Sequence, residues 1–516
     1  MVIKLIIFDL EDVLVTSWHE IIRHLDIDEA DFKVIDHSEL RIDLQLGKIS
    51  EDKFFEEFIK ITHTKYSVEE LKSLVRKTFK PVDKMLDLVK SLKSRYKLAI
   101  LSNFTKEWAD YLIKNYDLDK LFDVTFWSFE RGIKKPWHES YLEVIKHFSI
   151  PPENSILIDD KIRNTEAAAK LGFNIITFEN YEQLKKELNN FGVNIRPNIV
   201  LIGGGTGLPN LINGLKNYDV NISAIVAVTD NGRNSGMLRR DYSIPPPGDI
   251  RNSLVALSQA DETLKKAFDY RFLDGYLEGT SIGNLLLLSF TKLFDSFERA
   301  IEHAGKLLNV KGKVLPVTDA NIHICAEYEN GQVIEGEFSI RENTEINVPI
   351  KRVFLKANGD VKALPQVIEE IEKADMIVIG PGRLYTSVIT NLLVDGVADA
   401  IRKSSAKKVY ICNTMTEPNV SDNFKVSNFI EILERYLGKN VLDYAIVNAA
   451  YPDKEIIESF HEKFKVSMVQ LDKENLNHLK IIEGDFLHNQ VDFKWNELSF
   501  LNHDPHKTAS ALIKIL

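Results

Sequence analysis

Residues 199–208, Ile-Val-Leu-Ile-Gly-Gly-Gly-Thr-Gly-Leu, constrain the fold more than any other stretch. Four apolar residues predict a buried strand, and four glycines follow within five positions. Leu208, Leu211, Ile212 and Leu215 then recur at helical spacing. Strand, glycine turn and helix together present backbone N–H groups to a phosphate at a helix N-terminus. Glycine is needed there because a Cβ blocks close approach and because the turn requires positive φ. Gly203, Gly204, Gly205, Thr206 and Gly207 are therefore anion-binding candidates. Leu208 stands where the dinucleotide fingerprint has its third glycine, and no Lys-Ser or Lys-Thr closes a P-loop.

A chain of 516 residues predicts two or three domains. The formal charge of -11 argues against nucleic acid as partner. Cys325 and Cys412 provide neither a disulfide framework nor zinc spacing. No apolar run reaches membrane-spanning length and Lys4 interrupts the first one, so a cytoplasmic protein is expected. His503 and His506 read as surface residues.

The first domain is expected over 1–190. Val2–Ile7 predicts a strand ending at Asp9, and a charged helical stretch over about 13–82 predicts an inserted cap. Two more strands end at Ser102-Asn103 and at Asp159-Asp160, with Lys134-Lys135-Pro136 between them. Ligands of open α/β sheets bind at such strand ends. A carboxylate can attack a phosphoryl group, a hydroxyl and a cation can hold its oxygens, and paired carboxylates suit Mg²⁺.

Phe8-Asp9-Leu10-Glu11, Leu101-Ser102-Asn103, Lys135-Pro136 and Ile158-Asp159-Asp160 with Asn164 resemble the ordered motifs of the haloacid dehalogenase-like (HAD) hydrolases, subgroup with a helical cap. The resemblance implies Asp9 as nucleophile, Glu11 as acid/base, Ser102 and Lys135 as phosphate holders, and a Mg²⁺ site drawn from Asp9, Glu11, Asp159 and Asp160. Glu11 stands where the family has aspartate, and Asp12 where it has glycine. A displacement of about 1 Å can cost on the order of a hundredfold in rate, so the expectation is either a weak phosphatase acting on a phosphorylated small molecule or a degenerate domain kept for binding or assembly.

A short joint at about 186–198, stiffened by Pro197, leads to the second domain over 197–516. Its second strand, Ile222–Val228, ends in Thr229-Asp230-Asn231-Gly232-Arg233-Asn234-Ser235-Gly236. An acid there can hold ribose hydroxyls. In Pro247-Gly248-Asp249-Ile250-Arg251-Asn252, Asp249 is expected to cap a helix. Arg251, in the first turn and opposed to the helix dipole, is expected to face a ligand. Ser281-Ile282-Gly283-Asn284 opens another helix, and Gly380-Pro381-Gly382-Arg383-Leu384-Tyr385-Thr386-Ser387 follows the strand Met376–Ile379. A further strand ends at Cys412-Asn413. The crevice these ends define has few obvious acids or bases. Alternation over about 312–355, with Asn330-Gly331 at its centre, predicts an antiparallel insertion.

These motifs, from about Asn198 onward, resemble the YvcK/CofD family, most closely its gluconeogenesis-factor branch. The resemblance implies a Rossmann-like core and a nucleotide-sugar ligand such as UDP-N-acetylglucosamine, or another diphosphate. It also implies a role in carbon metabolism and in cell-wall growth and cell shape. Gly203–Gly207, Asp230, Asn231, Ser235, Asp249, Arg251, Asn252, Asn284, Gly380, Gly382, Tyr385, Thr386, Ser387 and Asn413 would line the site. The CofD branch implies instead a transferase that joins a phospholactyl group to a deazaflavin alcohol. The expected architecture is α/β: two Rossmann-like domains, the first with a helical cap and the second with a small antiparallel insertion. A homo-oligomer is compatible with it.

Overall fold

The computed structural model describes residues 2–488 and 502–516, save 26, 28 and 94. The chain divides into two compact units, Met1–Ile195 and Arg196–Leu516.

In the first unit, β1 (Leu5–Phe8), β2 (Lys97–Ser102), β3 (Val124–Trp127), β4 (Ser155–Asp159) and β5 (Asn174–Thr177) form one parallel sheet. The order β3-β2-β1-β4-β5 puts β1 at the centre. Its strands alternate between two buried faces: Ile6 and Phe8 join one core, Leu5 and Ile7 the other. Burial on both faces explains the near-continuous apolar runs. A 3₁₀ turn, Trp18–His24, and the helices Glu29–Asp36, Glu39–Gln45, Glu51–Thr62 and Val68–Thr78 lie between β1 and β2. The chain enters and leaves this cap side by side, with Thr16 N–H donating to Lys80 and Val82 N–H to Leu14. Ser38, Ser50 and Ser67 each cap the helix that follows them.

In the second unit, β6 (Asn198–Gly203), β7 (Asn221–Val226), β8 (Lys313–Pro316), β12 (Met376–Ile379), β13 (Lys407–Ile411), β14 (Tyr444–Asn448) and β15 (Lys480–Gly484) form a parallel sheet. Its order is β15-β14-β13-β12-β6-β7-β8. The glycine stretch thus follows a central strand, flanked by β12 and β7. Val200 and Ile202 pack on one face, Ile199 and Leu201 on the other.

The insertion is a separate sheet, β10-β9-β11, made of β9 (Ile322–Tyr328), β10 (Val333–Glu335) and β11 (Ile350–Ala357). It begins later than the alternation suggested, because Lys313–Pro316 pairs in parallel with β7 and belongs to the main sheet. The second strand is likewise shorter, ending at Val226. Among the described residues, no helix is long and apolar enough to cross a membrane.

Candidate functional sites

The first unit gathers its polar groups at the carboxyl ends of β1, β2 and β4. Asp9, Ser102, Lys135 and Asp159 are all nearly inaccessible to solvent. Lys135 Nζ lies 2.8 Å from Asp9 Oδ2 and also donates to Asp159 Oδ2. Asn164 donates to both oxygens of Asp159, at 2.9 and 3.0 Å. Asn103 fixes the lysine's backbone, accepting from Lys135 N–H at 2.8 Å and donating to its carbonyl at 2.8 Å. A buried ammonium between two carboxylates is stable only with such pairing.

Burial would raise the Asp9 carboxyl, but Lys135 and Lys161 overcome it and hold Asp9 below the usual carboxylate range. Burial pushes Asp159 up to about 6, against the pull of Lys135. Asp9, Asp159 and Asp160 each offer an oxygen within 4.8 Å of the others. Asp160 Oδ1 is buried without a hydrogen-bond partner. Three hard oxygen donors, one of them unsatisfied, fit a Mg²⁺ ion.

Glu11 departs from its expected place. Its carboxylate leaves the Asp9–Asp159–Asp160 group and turns to the cap, where Oε1 accepts from Trp18 N–H at 2.8 Å and Ser17 Oγ at 3.3 Å. Its Oε2 faces Arg41 Nη2 at 3.8 Å. The added methylene supplies the reach. Asp12, where glycine was expected, holds a left-handed φ of 60°, and burial with neighbouring Glu11 and Asp160 pushes it up to about 6.

In the second unit the two glycine turns close on each other. Gly205 takes φ +63°, and a Cβ on Gly207 would stand 2.6 Å from Pro381 O. A Cβ on Gly382 would stand 3.3 Å from Ser387 Cβ and 3.4 Å from Gly204 O. Asn391 ties them from below, donating to Gly203 O at 3.2 Å and Ser387 O at 2.7 Å. Asn413 donates to Gly382 O at 3.0 Å. The ends of β6, β12 and β13 therefore meet at one edge of the sheet, as Gly203–Gly207, Gly380, Gly382, Ser387 and Asn413 require. Ser387 and Thr386 are buried, and Thr386 Oγ1 has no partner.

The other expected site residues have partners within the unit, and one expectation is corrected. Asp249 does not cap its helix; Pro247 holds that position, and Asp249 Oδ2 instead accepts from Gly205 N–H at 2.6 Å. One donor of the glycine turn is thus already taken by a carboxylate. Arg251 donates to Ser281 Oγ at 2.5 Å and to Asn252 Oδ1, with Asp269 at 3.4 Å, while its Nε is buried without a hydrogen-bond partner. It braces the helix Gly248–Leu257 against Ser281, the cap of the helix Ile282–Phe294. Asn284 donates to Asn234 at 3.0 Å, extending the same buried network. Tyr385 points into the apolar core. Asp230 accepts from Gly232 N–H at 2.9 Å, and Asn231 from Phe338 N–H at 2.8 Å. Ser235 packs against Gly248, whose added Cβ would stand 2.5 Å from Ser235 Oγ. His506 is exposed as expected, but His503 is buried, and burial drives it down to about 4.

The crevice is also richer in acids than its strand ends suggested. Burial pushes Glu337 up to about 8, helped by Asp249 and Asp230 and opposed by Arg383 and Arg341. Burial raises Glu417 as well, against the same two arginines. Asp249 rises to about 6. Glu337 belongs to the antiparallel insertion and Glu417 to a loop beyond β13, so no local motif announced either.

The chain is similar to known proteins over both units. The family of 2-phospho-L-lactate transferase CofD matches residues 199–487, and that of haloacid dehalogenase-like hydrolases matches 6–178. A Thermotoga maritima protein is 42% identical over 318 residues, 61% of this chain and 98% of its own length. The gluconeogenesis factor of Bacillus subtilis is 39% identical over 322 residues, 62% of this chain and 98% of that protein. A crystal structure of a Bacillus halodurans protein is similar at 41% identity and a TM-score of 0.58, covering 62% of this chain and 99% of that one. The chain belongs to the CofD/YvcK family through a C-terminal gluconeogenesis-factor domain, fused to an N-terminal HAD-like hydrolase domain.

Proposed function

We propose that the second unit binds a nucleotide sugar of the UDP-N-acetylglucosamine type to regulate carbon metabolism and cell-wall growth, and that the first is a slow Mg²⁺-dependent phosphohydrolase. The mutual closure of the glycine turns at Gly207/Pro381 and Gly382/Gly204 carries the first half. It leaves small side chains and main chain at the carboxyl edge of the sheet, where a diphosphate can approach. Titration calorimetry of the intact chain with UDP-N-acetylglucosamine tests it; absence of heat across nucleotide diphosphates and nucleotide sugars overturns it.

The Asp9–Lys135–Asp159 cluster carries the second half. A bound Mg²⁺ supplies charge neutralisation for the entering phosphoryl group. Asp9, kept ionised by Lys135, attacks phosphorus as the ester P–O bond breaks. Lys135 and the Ser102 hydroxyl hold the phosphoryl oxygens. Water then cleaves the acyl phosphate, returning Asp9 and releasing inorganic phosphate. The leaving alcohol needs a proton, and the Glu11 carboxyl is turned to the cap, which makes the turnover slow. Phosphate release from an aryl phosphate with Mg²⁺, lost in D9N, supports this; no turnover on a broad phosphate panel overturns it.

A second reading, phospholactyl transfer to a deazaflavin alcohol, draws on Glu337, Glu417 and Asp249, which give the crevice groups able to move a proton. Product formation from those two substrates distinguishes it.

A further inference from the structure

Arg41 is the polar group in the cap that neither packing nor the hydrolytic chemistry explains. It lies on the helix Glu39–Gln45 and is 2% exposed. Its guanidinium carbon sits 4.8 Å from the ring of Trp18 and 4.9 Å from that of Trp108. The two ring centroids lie 5.8 Å apart, so both indoles sit to one side of the guanidinium, and the N–H groups on its edge are what remains to act.

That edge is unsatisfied. Nη2 is 3.8 Å from Glu11 Oε2 and Nε is 3.7 Å from Asp36 Oδ1, charge neighbours too distant for hydrogen bonds. Nε and Nη1 are buried with no hydrogen-bond partner. A buried donor left unpaired costs about 1–3 kcal/mol. The cap satisfies a buried ion elsewhere: Glu51 accepts from both terminal nitrogens of Arg76, at 2.9 and 2.7 Å, and from Trp108 Nε1 at 2.7 Å. Arg41 stands out against that neighbour.

What Arg41 lacks is lone pairs and not negative charge. Glu11 and Asp36 already face it, and His19 answers Asp36 at 3.0 Å. A neutral oxygen acceptor suits these donors better than a third anion. The place is next to the chemistry. Glu11 is two residues from Asp9, and Arg41's charge reaches Lys134, the neighbour of Lys135. Gln45, on the same helix, donates to Asn103 O at 3.3 Å and accepts from Lys134 at 3.5 Å.

We propose that Arg41 is a specificity residue whose edge N–H groups bond a hydroxyl oxygen in the alcohol half of the substrate, which makes that substrate a polyhydroxy phosphomonoester; this rests on phosphoryl transfer at Asp9. The test compares kcat/KM of the intact chain with Mg²⁺ on glycerol 1-phosphate, propyl phosphate and phosphoglycolate. The expected preference is at least about tenfold for glycerol 1-phosphate over propyl phosphate, one well-made hydrogen bond. R41M is expected to lower glycerol 1-phosphate at least about tenfold more than propyl phosphate. R41K, which keeps the stem and charge beside the rings but loses the fork, is expected to shift the ratio the same way and guards against misfolding of R41M. Equal losses on the two esters, or a preference for phosphoglycolate, overturns the proposal. If no ester turns over, the phosphohydrolase reading fails separately. Calorimetry of the same esters then decides Arg41: tighter glycerol 1-phosphate binding that R41M erases supports the proposal, and equal binding overturns it.

Discussion

The anion sites proposed for the two units are built in opposite ways. The first places full charges in a buried space: one ammonium, Lys135, between the carboxylates of Asp9 and Asp159. The second relies on main chain, and a charge that touches its glycine turn is an acid, Asp249, already holding Gly205 N–H. Charges of known sign can be read as chemistry from the sequence, since the residue type is the function. A main-chain site is defined by what the surrounding residues leave empty, and only packing reveals that.

The sharpest way to break this contrast is D9N, expected to lower Mg²⁺-dependent phosphate release by about 10³-fold or more, while nucleotide-sugar binding measured by calorimetry stays within error. Loss of both would mean the two units do not work by separate means. K135M comes next. Removing the ammonium strands two buried carboxylates, a cost of about 3–5 kcal/mol, visible as a lower urea midpoint for the first unit. An unchanged midpoint would show that the cluster does not depend on its ion pairing.

On the main-chain side, G207A forces a Cβ against Pro381 O. Overpacking of this kind costs about 1–3 kcal/mol, and nucleotide-sugar affinity is expected to fall at least about tenfold. Full affinity would remove the closure of the two turns from the site. E11D shortens the side chain that reaches Trp18 N–H. Turnover on an aryl phosphate is expected to rise several-fold as the carboxyl comes free, and a fall would mean that Glu11 works where it stands.

The smallest effect concerns pH. Glu337 has its folded value raised to about 8 from 4.5. The folded state therefore binds the extra proton, and stability from this group is full below about 4.5 and lost as pH rises towards 8. E337Q is expected to flatten the fall in melting temperature of the second unit between pH 5 and 8, by on the order of 2 °C per kcal/mol recovered. An unchanged slope would place the proton elsewhere.

Much of the fold was legible because buried parallel strands announce themselves as apolar runs, as at Ile199–Ile202 and Met376–Ile379. The HAD-like cluster was legible for a related reason: Asp9, Ser102 and Asp159 each end a strand, and the strand ends share an edge. Side-chain direction was not legible. Glu11 is one methylene longer than aspartate and reaches Trp18 N–H instead of the acid group. Arg251 sits in a helix's first turn, and its bonds to Ser281 and Asn252 come from tertiary packing that no local motif announces. Tyr385 follows a glycine turn yet lies in a helical segment whose buried face takes the ring. Glu337 and Glu417 come from segments whose approach to the crevice depends on tertiary packing alone.

The helix Pro505–Ile515 has a bearing on how the second unit comes together. A Cβ on Gly214, in the helix that follows the glycine stretch, would collide with the carbonyl of Pro505, and Asn210 in that same helix donates to His503 O at 2.5 Å. The element that seats the glycine-turn helix therefore lies almost three hundred residues further along. Contacts of such span form late, after most of the ordering entropy has been spent. A nascent chain carries its glycine turn long before the seat for it exists, and shortening the protein before Pro505 would harm a turn that the missing residues never touch.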